Sequence, residues 1–223
     1  MISSSRDNLL DPVRTLNRLK KFIGPLNPPV SSLERHIRIS PFKILISVML
    51  SSRTRDPVTE IASERLFAKA DSPEKMARLD EGEIGRLIYP VGFYRQKAKN
   101  IKKICKSLLE TNVFPDSFAA LTALPGVGRK TANLVLALAF SRPAIAVDTH
   151  VFRISRRLHW ATGNTPEEVE KELQAIFPVH CWNVINFTLV GFGQTVCKPR
   201  NPLCGSCGIN DICPFIQSNP ARR

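Results

Sequence analysis

Three groups of residues in this 223-residue chain have the types and spacing to do chemistry. The first is a lysine just behind a glycine-rich turn. Leu124-Pro125-Gly126-Val127-Gly128-Arg129-Lys130-Thr131-Ala132 links two apolar, helix-like segments and must reverse the chain within a few residues. Gly126 and Gly128 permit the positive φ angles of a tight hairpin, while Leu124 and Val127 can anchor it to a core. The second segment opens at Arg129 or Lys130, where the first helical N–H groups face outward at the positive end of the dipole. Those amides beside Arg129 make a clamp for a phosphate. Lys130 follows one residue later, where dipole and Arg129 both oppose its charge and favour a neutral, nucleophilic amine. Such an amine forms a Schiff base with a sugar or carbonyl carbon. The competing reading is a solvated lysine in a basic patch.

The second group is centred on Asp148, ahead of Thr149-His150-Val151-Phe152-Arg153. It reads as a helix N-cap, and a carboxylate held by capping bonds can also face a developing positive charge. The third is Cys197, Cys204, Cys207 and Cys213, spaced C-x6-C-x2-C-x5-C. Four thiols this close can surround one metal centre, either zinc or an iron–sulfur cluster. Zinc sites more often use two close pairs, and only Cys204 and Cys207 form one here. Lys198, Pro199 and Arg200 fall between the first two ligands, where a closed loop would hold two cations toward phosphate. Cys105 and Cys181 sit in helical patterns and read as buried packing residues.

The elements that must position these groups are helices. Asp11-Pro12, Ser40-Pro41, Asp56-Pro57, Ser72-Pro73 and Thr165-Pro166 each pair a capping side chain with proline at a helix start. Thr165 to Glu168 fits a capping box, Asp80 with Glu83 fits one more loosely, and Asp116 or Ser117 can cap the segment before the hairpin. Phe42 to Leu50 is apolar nearly all round, as a central buried helix would be. Val13, Leu16, Leu19, Phe22 and Ile23 form an apolar stripe, as do Ile101, Ile104, Cys105, Leu108 and Leu109. Lys102, Lys103 and Lys106 lie opposite the latter and read as a solvated face. No stretch alternates with period two, so the fold class is all-α. Ala144-Ile145-Ala146-Val147 is an apolar connection.

The net charge of +13 and a pI near 9.9 point to a polyanionic partner. No apolar run is long enough to cross a membrane, and Met1 to Arg6 lacks the apolar segment of a secretion signal. The expectation is a cytoplasmic protein without a membrane partner.

The hairpin Leu124 to Ala132 followed by Val147-Asp148-Thr149-His150 resembles the endonuclease III family of the helix-hairpin-helix DNA glycosylase superfamily. The resemblance extends from about Pro41 to Cys213. It implies a two-lobed fold: a six-helix domain over about 34–142, with the helix-hairpin-helix at about 117–140, and a second domain from 1–33 and 143–223. The second domain would carry a [4Fe-4S] cluster on the loop 197–213, held by Cys197, Cys204, Cys207 and Cys213. Lys130 would be the catalytic lysine and Asp148 the catalytic aspartate, at the mouth of a pocket for an extruded nucleotide. The implied activity is a bifunctional DNA glycosylase and AP lyase of base excision repair, removing oxidised pyrimidines and cleaving 3′ to the abasic site. The implied partner is double-stranded DNA containing a damaged base or abasic site, bound by a monomer associated with the nucleoid. Gly126, Val127, Gly128, Arg129, His150, Lys198 and Arg200 would contact DNA.

Two more residues acquire roles from the resemblance. The loop Ser51-Ser52-Arg53-Thr54-Arg55-Asp56 would insert where the damaged nucleotide leaves the stack, and Arg53 stands where the bacterial pattern usually has Gln. Its alternative role is a cation at a helix C-terminus. In Val91-Gly92-Phe93-Tyr94, Phe93 falls at the family's apolar wedge position, and such a side chain can kink a duplex. Packing is the alternative for Phe93 and the reading for Tyr94. A mismatch-specific adenine or thymine glycosylase, or a non-catalytic DNA-binding iron–sulfur module, are the other functions weighed.

Overall fold

A computed structural model describes residues 11–30 and 40–219, and all regular structure among them is helical. The expectations resting on Met1 to Arg6 and on a domain boundary at 33/34 lie outside the described residues. The chain separates into two compact units. Among the described residues, one comprises 40–144 and the other 11–30 with 145–219.

The continuous unit contains α2 (Pro41–Ser51), α3 (Asp56–Lys69), α4 (Pro73–Arg78), α5 (Glu81–Ile88), α6 (Tyr94–Thr111), α7 (Phe118–Thr122) and α8 (Arg129–Phe140). Helix α2 is its axis. Ile44 through Leu50 are all buried, because α3 covers one side and α8 another. No face of α2 is left for water, as its unbroken apolar run requires. Helix α6 packs on α4 and α5, and Ile101, Ile104 and Cys105 face inward as their spacing indicates. Burial raises the Cys105 thiol to about 12, which suits an inert packing residue.

Helix starts follow the local chemistry. Ser40 accepts from Lys43 N–H (3.2 Å), Ser72 from Lys75 N–H (3.4 Å) and Ser117, not Asp116, from Ala120 N–H (3.2 Å). Asp116 instead pairs with Arg142. Asp80 and Glu83 form a full reciprocal capping box, at 2.7 and 2.9 Å. The start at Asp56 differs from its expected form. Arg55 is the N-cap, Asp56 already belongs to the first turn, and no side chain caps it. Lys102 differs too. Its ammonium donates to the carbonyls of Ala77 and Leu79 at the C-terminal end of α4, so it fastens α4 to α6 rather than lying in solvent.

The discontinuous unit contains α1 (Pro12–Ile23), α9 (Thr149–Arg157), α10 (Pro166–Ile176), α11 (Trp182–Thr195) and α12 (Pro214–Gln217). Both α1 and α9 pack on α11, whose residues Ile185, Leu189 and Phe192 are buried between them. Gly191 and Gly193 allow this closeness. A Cβ on Gly191 would meet Ile23 and Pro28 at 3.0 Å, and one on Gly193 would lie 2.3 Å from His150 Nδ1. The segment 144–147 is a buried, irregular connection. No helix among the described residues is long and apolar enough to cross a membrane.

Candidate active site

The hairpin is the link between α7 and α8. Leu124 and Val127 are buried at its two sides, and Val127 N–H donates to the Leu124 carbonyl at 3.1 Å, closing the turn. Gly126 has φ +79, where an L side chain is strained, and a Cβ would lie 2.2 Å from Asn100 Nδ2. Gly128 behaves otherwise than expected. Its φ of −91 is ordinary, it is the N-cap of α8, and a Cβ would meet nothing within 4 Å. Neither the backbone angle nor crowding around the hairpin therefore calls for glycine at this position. Ala132 N–H makes the first bond of α8 to the Gly128 carbonyl at 3.0 Å. The amides of Arg129, Lys130 and Thr131 precede that bond, at the positive end of the dipole. The exposed Arg129 guanidinium lies over the Phe118 ring, 4.7 Å from its centroid, which holds its charge beside the hairpin. Lys130 is the second residue of α8 and is half-buried.

Asp148 belongs to the other unit and caps α9. Its Oδ1 accepts from His150 N–H and Val151 N–H, both at 2.9 Å. The capping reading is thus realised, and it fixes the carboxylate in place. His150 lies against Gly193, with Nδ1 3.1 Å from Arg153 Nη2.

Cys197, Cys204, Cys207 and Cys213 line one cavity, about 330 Å³ including its open mouth, together with Ile154, Leu158, Val196 and Phe215. Burial drives the Cys207 thiol up to about 11 and raises Cys213 as well. Thiols in so apolar a place become thiolates only against a cationic centre. Among the described residues no three side chains are gathered closely enough to hold a single ion. Four cysteine thiols lining one apolar cavity are the donor chemistry that an iron–sulfur cluster takes. The donor set and the cavity therefore fit an iron–sulfur cluster.

Two arginines that the sequence did not single out organise this loop. Arg153 donates to the Cys197 carbonyl at 2.9 Å. Arg157 donates to Cys197 Sγ at 3.2 Å and to the carbonyls of Lys198 and Pro199 at 2.9 and 3.2 Å, with its guanidinium 4.5 Å from the Phe215 centroid. Their spacing of four along α9 places them on one face, which is the available signal. Lys198 and Arg200 stay exposed on the loop so held. From the other side, Arg18 of α1 grips Asp211 through two bonds of 2.8 and 3.0 Å, holding that carboxyl below its usual range.

The residues expected to enter DNA are side by side. Arg53 (φ +53) and Phe93 (φ +58) both have left-handed backbones. The Arg53 guanidinium lies 5.3 Å from the Phe93 centroid, and Phe93 is 63% exposed. Tyr94 packs against the core, as read from the sequence.

Residues 46–179 match the model of the HhH-GPD superfamily base excision DNA repair proteins, and residues 197–213 match the iron–sulfur binding domain of endonuclease III. Endonuclease III of Thermotoga maritima is 47% identical over 184 residues, 82% of this chain and 86% of its own. The chain belongs to the endonuclease III family. A solved non-covalent endonuclease III–DNA complex superposes with a TM-score of 0.84 at 32% identity, covering 99% of this chain and 100% of that one. A trapped endonuclease III–DNA covalent intermediate gives 0.76 at 38% identity, covering 81% and 86%. As a member of the endonuclease III family, the chain is a DNA glycosylase and AP lyase of base excision repair that carries a [4Fe-4S] cluster.

Proposed function

We propose that this enzyme removes oxidised pyrimidines from duplex DNA with Lys130 as its nucleophile, and acts as a monomer. The observation that carries the reading is the lysine in the first turn of α8, directly behind a hairpin built to approach a phosphate. An amine there sits beside helix-terminal amides placed to bind the DNA backbone, which would bring the sugar to it. Gly126, Val127, Gly128 and Arg129 grip the phosphate, and the bare Gly128 lets the strand come close to the amides. In the other unit, His150, Lys198 and Arg200 are the residues assigned to DNA contact.

A base within a duplex is out of reach, so the nucleotide is first extruded, which costs least at pairs already weakened by damage. Phe93 wedges into the stack and Arg53 fills the gap, hydrogen-bonding the orphaned base. The Lys130 Nζ then donates its electron pair to C1′. The base departs with the electrons of the glycosidic bond and takes up the proton that the amine loses; the nitrogen lone pair then breaks the C1′–O4′ bond, O4′ takes up a proton, and a protonated Schiff base remains. Loss of a C2′ proton then expels the 3′ oxygen with the electrons of the C3′–O bond, leaving an unsaturated Schiff base on one fragment and a 5′-phosphate on the other. Water finally releases the lysine.

Asp148 offsets the positive charge that builds on the sugar as the base leaves, the task that carboxylates perform in glycoside hydrolysis. Its two capping bonds hold the carboxylate in one place for that role. Cys197, Cys204, Cys207 and Cys213 hold the cluster, which when bound supplies a rigid closure of the loop. Arg153 and Arg157 aim that loop, and with it Lys198 and Arg200, toward phosphate.

The test is a panel of duplexes carrying one oxidised pyrimidine, oxidised purine, mismatched adenine or mismatched thymine. Cleavage of the oxidised-pyrimidine strands to a β-elimination product is expected. Release of adenine or thymine from mismatches without strand cleavage would replace this substrate assignment with a mismatch-specific one.

A further inference from the structure

Lys97 is 8% exposed, and burial lowers its amine to about 8. It lies one turn into α6, in the unit that carries Arg53 and Phe93. Its Nζ donates to the Leu50 carbonyl at 2.9 Å, the Ser52 carbonyl at 2.6 Å and Thr54 Oγ1 at 3.5 Å. Its own backbone N–H donates to the Phe93 carbonyl at 3.0 Å. One residue is thereby bonded to both turns that present the inserting side chains.

The two turns are interlocked around it. Thr54 Oγ1 accepts from Gly92 N–H at 3.1 Å, and a Cβ on Gly92 would stand 2.5 Å from the Arg53 carbonyl oxygen. That approach is possible only for glycine. Arg53 and Phe93 both hold positive φ, which non-glycine residues keep only where surroundings over-determine it. Carbonyls at a helix end are ordinarily served by a glycine cap or by water, at no cost in charge burial. A buried ammonium is an expensive substitute, and what it adds is a fixed distance between two loops.

We propose that Lys97 is a positioning residue for nucleotide extrusion, locking the turn 52–55 to the turn 91–93 so that Arg53 and Phe93 enter the duplex as one rigid pair. The inference rests on the insertion roles proposed above for those two residues. Free of the lock, each turn relaxes on its own, and the arginine no longer arrives where the wedge opens the stack.

The test uses the cluster-loaded full chain with Lys97→Met and, separately, Thr54→Val, which removes the bridging oxygen but no charge. Three readouts are compared: single-turnover base release from an oxidised-pyrimidine duplex, fluorescence of a 2-aminopurine opposite the lesion, and borohydride trapping on a preformed abasic site. Misplacement of the inserting pair should slow base release about 10- to 100-fold and abolish the fluorescence rise. Trapping on the abasic site should fall less than about 3-fold, since that site is already open. Thr54→Val should shift the same readouts in the same direction, and it decides alone if Lys97→Met fails to fold. Equal losses in release and trapping, or no loss of fluorescence, would overturn the positioning role. Arg53→Ala and Phe93→Ala serve as references. If they lose the fluorescence rise while Lys97→Met and Thr54→Val keep it, only the role of Lys97 is wrong. If they too keep it, the insertion reading beneath it is wrong.

Discussion

Gly126→Ala isolates the part of the hairpin that depends on backbone conformation. At φ +79 an alanine carries a left-handed penalty of about 1–2 kcal/mol. Its Cβ would sit 2.2 Å from Asn100 Nδ2, so Asn100 must swing aside and lose the bond its Oδ1 accepts from Gln96. That pair is worth about 0.3 kcal/mol. Against these costs, alanine restricts the unfolded chain and returns about 0.5 kcal/mol. The net is about 1.3 kcal/mol, which for a protein of this size lowers Tm by about 3–5 °C. Should the hairpin instead twist to escape the strain, the same free energy appears as about tenfold weaker binding to an abasic-site duplex at fixed salt. Melting and titration measured together therefore account for it. Asn100→Ala in the same chain should recover the crowding part but not the φ part. Gly128→Ala is the internal contrast: ordinary φ, no contact for a Cβ, so stability should stay within about 0.5 kcal/mol of wild type while DNA binding weakens. If Gly126→Ala left both Tm and affinity unchanged, or the two glycines responded alike, the reasoning about this hairpin would be refuted.

Asp148→Asn keeps a capable N-cap, so Tm and DNA binding should change little while base release slows at least about 100-fold. Parallel losses in binding and release, measured by titration and single-turnover kinetics, would reduce Asp148 to a helix cap. A pH effect follows from Glu172, which accepts from the amides of Gly163 (3.0 Å) and Thr162 (2.8 Å) and is thereby held below its ordinary 4.5. Its folded-state value lies below the unfolded one, so its stabilisation is complete above about pH 4.5 and disappears as pH falls through the folded value. The Tm gap between wild type and Glu172→Gln should close on acidification from pH 7 to pH 3; a constant gap would contradict the assignment.

Where residues act on near neighbours, the sequence was a sound guide. Caps followed by proline and the hairpin turn depend on contacts within a few positions, and the unbroken apolar run of α2 leaves it no wet face whichever helices cover it. Even there, local chemistry left choices open: Ser117 rather than Asp116 caps α7, because Asp116 is drawn to Arg142 from outside the helix. Gly128 was misread as a backbone requirement, since glycine at an N-cap and glycine at positive φ are indistinguishable in a string of letters. The largest omissions were long cations whose partners are distant carbonyls. Lys97 reaches 47 positions back to Leu50, Lys102 reaches Leu79, and Arg157 reaches Lys198. Carbonyls have no residue identity, so no motif announces such bonds. The four cysteines were legible as a set because their spacing is short, while the arginines that hold their loop were not.

The central claim is that the Lys130 amine forms the covalent bond to the sugar. Borohydride reduction during turnover on an abasic-site duplex, followed by digestion and mass mapping, tests it directly. One stable protein–DNA adduct located at Lys130 is expected, and none from a folded, cluster-containing Lys130→Gln chain. An adduct mapped to another amine, or undiminished trapping by the Lys130→Gln chain, would contradict it.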